Sequence, residues 1–95
     1  GYAVIEPGVT QSQLYQRLQG TSLWMDSTGA GPEASVLGNA LERGFGHTRY
    51  GDHSQTVCGI EAVLADGSLL RTGFRHFPRE RAGYVYQAGL GPGLD

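Results

Sequence analysis

The stretch Ser35-Val-Leu-Gly-Asn-Ala-Leu-Glu-Arg-Gly-Phe-Gly-His-Thr-Arg-Tyr-Gly-Asp-His53 decides how the rest of the chain is read. It opens as a short helix with Ser35 as N-cap, expected to run to about Glu42 and to stop at Gly44. Gly44, Gly46 and Gly51 then follow, interleaved with aromatic and polar residues. Glycine at that density lets main-chain N–H groups come close to a ligand. A disordered linker would not carry Leu37, Leu41, Phe45 and Tyr50 through such a run. The stretch reads as a binding loop built from backbone.

On its N-terminal side, residues 2–5 are expected as a strand ended by Pro7-Gly8. Thr10 then caps a helix over residues 11–19, with Gln13 placed to complete a capping box and Gly20 to close the helix. Leu14, Leu18 and Tyr15 give that helix an apolar stripe. Residues 23–25 form a short apolar stretch, and residues 26–34 are too rich in small and turn residues for regular structure. On the C-terminal side, residues 57–65 and 68–74 flank Asp66-Gly67, the signature of a hairpin with a two-residue turn. That turn would put Ile60, Ala62, Leu64, Leu69 and Arg71 on one face, with Glu61, Val63, Ala65, Leu70 and Thr72 on the other. Both faces carry apolar residues, so a hairpin covered on both sides is expected. Residues 75–82, charged and holding Pro78, read as a surface loop. The elements sum to an α+β segment: strand-turn-helix, glycine-rich loop, β-hairpin.

With 95 residues the chain is one domain or part of one. It starts at Gly1 and closes on Gly89-Leu-Gly-Pro-Gly-Leu-Asp95 without a final element, so an internal piece of a longer polypeptide is expected. Such a piece, expressed alone, should be marginally folded. A net charge of −2 argues against nucleic-acid binding. All 7 basic residues are Arg, which removes Walker A and Schiff-base lysines. The single Cys excludes an internal disulfide and a cysteine zinc cluster. No apolar run reaches the length of a membrane span, and no signal-peptide pattern is present.

Other reactive groups have plainer readings. His47, Asp52 and His53 match no named metal spacing, and hydrogen bonds to loop backbone are the favoured role, so no metal site is assigned. Ser54 lacks a nucleophile elbow, and Cys58 reads as a packed thiol. Glu6 is expected as a carboxylate satisfied by backbone donors, and Trp24 as core. The Gly44-Phe-Gly46 spacing fails the dinucleotide fingerprint, since no strand leads into it and no third glycine opens a helix.

Taken in order, Ala3-Val-Ile-Glu-Pro-Gly-Val-Thr10, Ser35-Val-Leu-Gly-Asn-Ala-Leu-Glu-Arg-Gly44, Tyr50-Gly-Asp-His53, Cys58-Gly-Ile-Glu-Ala-Val-Leu-Ala-Asp-Gly67, Arg71-Thr-Gly73 and Gly91-Pro-x-Leu-Asp95 form one series. The series resembles the flavin-binding domain of the vanillyl-alcohol oxidase and p-cresol methylhydroxylase family. The resemblance implies an α+β fold, the C-terminal half of a PCMH-type FAD-binding domain, with an upstream diphosphate-binding half and a downstream substrate domain outside residues 1–95. It implies FAD as cofactor and hydride transfer from the benzylic carbon of a 4-alkylphenol or aromatic alcohol, with a phenolate assisting and a quinone methide formed. It also implies a small aromatic substrate, with a homo-oligomer or a cytochrome electron acceptor as the partners open to it. The cofactor-binding residues carried over are Pro7 and Gly8, near the adenine and diphosphate end, and Ser35, Gly38, Asn39, Gly44, Phe45, Gly46 and His47, along the flavin with backbone N–H groups directed at the cofactor. No catalytic residue is carried over. A flavin enzyme acting on a 2-hydroxy acid and a small non-enzymatic binding domain are the alternatives. Three departures stand out: His47-Thr-Arg-Tyr-Gly replaces Tyr-Thr-Pro-Tyr-Gly; Ala30, flanked by Asp26 and Glu33, falls where the aryl-alcohol oxidases hold an acid; and none of His47, His53 or His76 sits where the family attaches its flavin.

Overall fold

The computed structural model describes residues 2–26 and 29–73. The chain divides into one unit over Ala3–Ser54 and a second from Gln55 onward, which also includes Tyr2. Helix α1 (Gln11–Leu18) starts where its capping box lies. Thr10 Oγ1 accepts from the Gln13 N–H at 3.2 Å, and Gln13 Oε1 accepts from the Thr10 N–H at 2.9 Å. Two of the N–H groups that a helix start leaves unpaired are thereby satisfied. At the other end Gly20 takes φ 79°, the left-handed conformation expected of it. Of the apolar stripe, Leu14 is buried, Leu18 is half-buried and Tyr15 is exposed.

Residues 2–6 join no hydrogen-bonded ladder among the described residues, so the expected first strand is absent there. A strand exists only through a partner. The turn after it does form, with the Val9 N–H donating to the Glu6 carbonyl at 3.1 Å across Pro7-Gly8. Thr10 and Ser35 face each other in an antiparallel bridge, flanked by Val36 N–H to Val9 O at 2.9 Å and Gln11 N–H to Ala34 O at 3.0 Å. This bridge sets the start of α1 beside the start of α2 (Val36–Leu41). Leu14, Val36 and Ala40 are the buried apolar residues among those described.

Helix α2 ends differently from expectation. The left-handed residue is Arg43, at φ 53°, and not Gly44. The Gly44 N–H reaches the Asn39 carbonyl at 2.6 Å and the Arg43 N–H reaches the Ala40 carbonyl at 3.1 Å, the paired bonds of a Schellman motif.

In the second unit, β1 (Glu61–Val63) and β2 (Leu69–Arg71) form an antiparallel two-stranded sheet, shorter than the expected runs. Its register pairs Glu61 with Arg71, Ala62 with Leu70 and Val63 with Leu69. That is one residue away from the two-residue turn the sequence suggested, and such a slip exchanges the faces of one strand. The cause is the turn. Asp66 is not in the left-handed region that a type I′ turn requires, and Gly67 alone takes it, at φ 83°. The Gly67 N–H closes on the Leu64 carbonyl at 2.9 Å, and the Leu64 N–H on the Ser68 carbonyl at 2.8 Å, giving a three-residue loop with a bulge at Gly67. Ile60, Ala62, Leu70 and Thr72 lie half-buried or buried on one face, whereas Glu61, Val63, Leu69 and Arg71 are exposed on the other. The expected two-sided cover is therefore not present among the described residues. The ladder stops where Thr72 Oγ1, and not its carbonyl, accepts the Ile60 N–H at 2.8 Å. Glu61 and Arg71, directly opposite, form an ion pair at 2.6 Å.

The expected loop over residues 75–82, the end of the second strand at Phe74 and the Gly91–Asp95 motif lie outside the described residues, as do Ser27 and Thr28 of the irregular stretch. Among the described residues no helix is long and apolar enough to cross a membrane.

Candidate cofactor site

The nine residues assigned to a cofactor lie at the two ends of α2 or within it. At its N-terminal end, Ser35 Oγ accepts from the Gly38 N–H at 3.1 Å and donates to the Pro7 carbonyl at 2.7 Å. One hydroxyl thus caps the helix and fastens the Pro7-Gly8 turn to it. The fold places no demand on Gly8: its φ is outside the left-handed region, and a Cβ built there meets nothing within 4 Å. Six residues at about 1.5 Å rise separate this turn from the glycine-rich loop by about 9 Å.

At the C-terminal end, residues 44–53 double back as a narrow ribbon. The His53 N–H donates to the Gly44 carbonyl at 2.8 Å and the Gly46 N–H to the Gly51 carbonyl at 2.9 Å, with Phe45 bridged to Asp52. The Gly51 N–H closes a turn on the Thr48 carbonyl at 3.2 Å, with Gly51 at φ 60°.

Buried polar side chains hold the ribbon from inside. His53, 1% exposed, has Nδ1 at 2.7 Å from Asn39 Oδ1 and Nε2 at 3.7 Å from Asp26 Oδ2. Asp26 Oδ2 also accepts from Thr48 Oγ1 at 2.7 Å, and Thr48 Oγ1 accepts from the Tyr50 N–H at 3.2 Å. These groups explain two glycines. A Cβ at Gly44 would run into the Asn39 carboxamide, and one at Gly46 would meet His53 Nε2 at 2.7 Å and the Asp26 carboxylate.

This arrangement changes which N–H groups are on offer. The sequence reading assigned main-chain donors across residues 44–47. The N–H groups of Gly38, Gly44 and Gly46 are instead spent inside the fold, on Ser35, Asn39 and Gly51. Alternation along an extended chain turns the intervening N–H groups, those of Phe45 and His47, to the opposite edge. Neither has a hydrogen-bond partner among the described residues, and both residues are exposed, their rings meeting edge to face at 5.7 Å between centroids. Unpaired main-chain donors on an open edge suit an acceptor-rich group such as the diphosphate or ring carbonyls of FAD.

The remaining candidates fall elsewhere. No cluster able to hold a metal occurs among the described residues. His47 is exposed, and Asp52 Oδ1 accepts from the Ser54 N–H at 2.8 Å. Hydrogen bonds from the Ser54 side chain and backbone, and then the charge of Arg43 at 3.9 Å, hold the Asp52 carboxyl below the ordinary carboxylate range. The exposed Glu6 carboxylate makes no hydrogen bond among the described residues, contrary to expectation. Trp24 is not core: it is 64% exposed and packs edgewise on Tyr50 at 6.4 Å. Cys58 is half-buried, with its thiol 3.8 Å from the Thr56 carbonyl. Asp26 is what sequence reasoning missed. Its place four residues before Ala30 carries no such signal, and no local rule joins it to Thr48 or His53.

The chain belongs to the FAD binding domain family, whose pattern it matches over residues 1–73. Among its relatives, 1'-carboxy-chondrochloren decarboxylase of Chondromyces crocatus is 42% identical over 99% of this chain, and the flavoprotein subunit of 4-cresol dehydrogenase (hydroxylating) of Pseudomonas putida is 40% identical over 99%. Among solved structures, the isoeugenol complex of 4-ethylphenol oxidase from Gulosibacter chungangensis superposes with a TM-score of 0.86 at 45% identity, covering 97% of this chain. The chain spans 18% of the length of each of these three proteins. The α+β character, the membership and FAD as the family's cofactor thus agree with the sequence reading.

Proposed function

We propose that this chain is the flavin-holding part of an FAD-dependent oxidoreductase that oxidises 4-alkylphenols or aromatic alcohols. The observation that carries the reading is the 45% identity and 0.86 TM-score to a 4-ethylphenol oxidase over 97% of this chain. FAD supplies the chemistry when bound, accepting a hydride equivalent from the benzylic carbon. This chain's part is to bind and orient. The Phe45 and His47 N–H groups donate to acceptors of the cofactor from the open edge of the ribbon. Gly8, which the fold leaves free of contacts, allows the cofactor to approach the Pro7-Gly8 turn. Ser35, Gly38 and Asn39 hold those two surfaces at a fixed separation. Gly44 and Gly46 serve from behind, by admitting the side chains that shape the ribbon.

The test is made on the full-length parent protein. Purified and freed of oxygen, it is titrated with a 4-alkylphenol while the visible spectrum is recorded. A yellow protein that bleaches is the expected result. Yellow that persists with phenols and bleaches with 2-hydroxy acids overturns the substrate class and keeps the flavin. A folded protein that stays colourless with added FAD overturns the whole reading.

A further inference from the structure

Resting on the flavoprotein reading above, we propose that Asp26 is a positioning residue for the cofactor-facing ribbon and acts through Thr48 and Gly46. Asp26 reaches the ribbon from a separate part of the chain, and its side chain is 5% exposed. Besides His53 Nε2, 3.7 Å from its Oδ2, it meets the ribbon at two further places. Its Oδ2 accepts the Thr48 hydroxyl at 2.7 Å, and its carboxylate occupies the space that a Cβ on Gly46 would need, with Cγ 2.9 Å from that position. The two contacts lie on either side of His47, so one carboxylate fixes the peptide that carries the His47 N–H. The Thr48 hydroxyl passes the constraint on by accepting the Tyr50 N–H at 3.2 Å, which sets the turn whose Gly51 carbonyl takes the Gly46 N–H. A hydrogen bond to a carboxylate is about twice as strong as a neutral one and correspondingly directional. Packing alone would be served by an apolar side chain without the cost of desolvating a charge. Direction is what the carboxylate adds.

The experiment compares the full-length holoprotein with its Asp26→Ala, Thr48→Val, Thr48→Ser and doubly substituted Asp26→Ala/Thr48→Val forms. FAD affinity is read by flavin fluorescence, and the setting of the bound ring by visible circular dichroism. Each of Asp26→Ala and Thr48→Val is expected to weaken FAD binding about tenfold, or about 1.4 kcal/mol, and to change the flavin dichroic band. The double form should lose no more than Asp26→Ala alone, because that substitution already breaks the Thr48 link. Thr48→Ser, which keeps the hydroxyl, should restore most of the affinity. Thr48→Val is close to isosteric and keeps the test open if Asp26→Ala fails to fold. Variants that melt earlier yet bind FAD with the parent's affinity and dichroism would overturn the positioning role, as would additive losses in the double form. A parent protein that binds no FAD overturns the flavin reading itself, a result distinct from either.

Discussion

Gly44 and Gly46 each sit where a Cβ would strike buried polar side chains. Their density marked a binding loop, and the ribbon they lie in does expose main-chain donors. The glycines, however, make room for Asn39, Asp26 and His53, while the exposed donors sit on Phe45 and His47. Sequence spacing could not reveal this, since the deciding contacts join residues far apart in the chain. Gly46→Ala should destabilise the parent protein by about 1–3 kcal/mol through overpacking against buried polar groups, measured as a lowered denaturant midpoint. Arg43 offers the opposite case. Its left-handed φ of 53° costs a residue with a Cβ about 1 kcal/mol that glycine avoids, and its guanidinium, 3.9 Å from Asp52, is largely exposed. Arg43→Gly should therefore raise stability by about that amount, and an unchanged or lower midpoint would show the strain is absent. Asp52 carries a pH dependence. Its carboxyl is depressed in the folded state, so its stabilising contribution is present above the unfolded value near 4 and is lost as pH falls through the lower folded value. Ser54→Ala removes the largest single part of that contribution, the side-chain hydrogen bond, and keeps the backbone one. The difference in melting temperature between parent and Ser54→Ala should be present at neutral pH and close as the pH falls below about 4.

Elements were legible where their rules are local. The capping box at Thr10 and Gln13 and the glycine at position 20 follow from a few neighbouring residues, and α1 begins and ends accordingly. Thr10→Ala should cost about 1 kcal/mol, read from chemical denaturation, with Thr10→Ser recovering most of it. The hairpin was legible in place but not in register. Asp-Gly signals a turn, yet whether Asp66 or only Gly67 turns left-handed decides between two loop lengths, and the short strands do not settle that alone. The first strand was illegible for a third reason, because a ladder depends on a partner that a single segment does not specify.

For the whole molecule, the balance of buried and exposed surface matters most. Leu14, Val36 and Ala40 are the buried apolar residues among those described, whereas Tyr15, Leu23, Trp24, Val63 and Leu69 are each at least half exposed. A groove of about 600 Å³ opens along α1 beside Leu23, Trp24 and Met25. Among the described residues, burial on this scale offsets little of the conformational entropy of ordering them. The isolated 95-residue chain should accordingly melt without a sharp transition, and a cooperative calorimetric peak would contradict this. The proposed role of the ribbon is to offer FAD the main-chain donors of Phe45 and His47. The most direct measurement is a crystal structure of the full-length holoprotein. An acceptor atom of FAD within about 2.7–3.2 Å of the Phe45 or His47 nitrogen is the predicted result. FAD bound elsewhere, with both nitrogens paired to protein or to water, would contradict it.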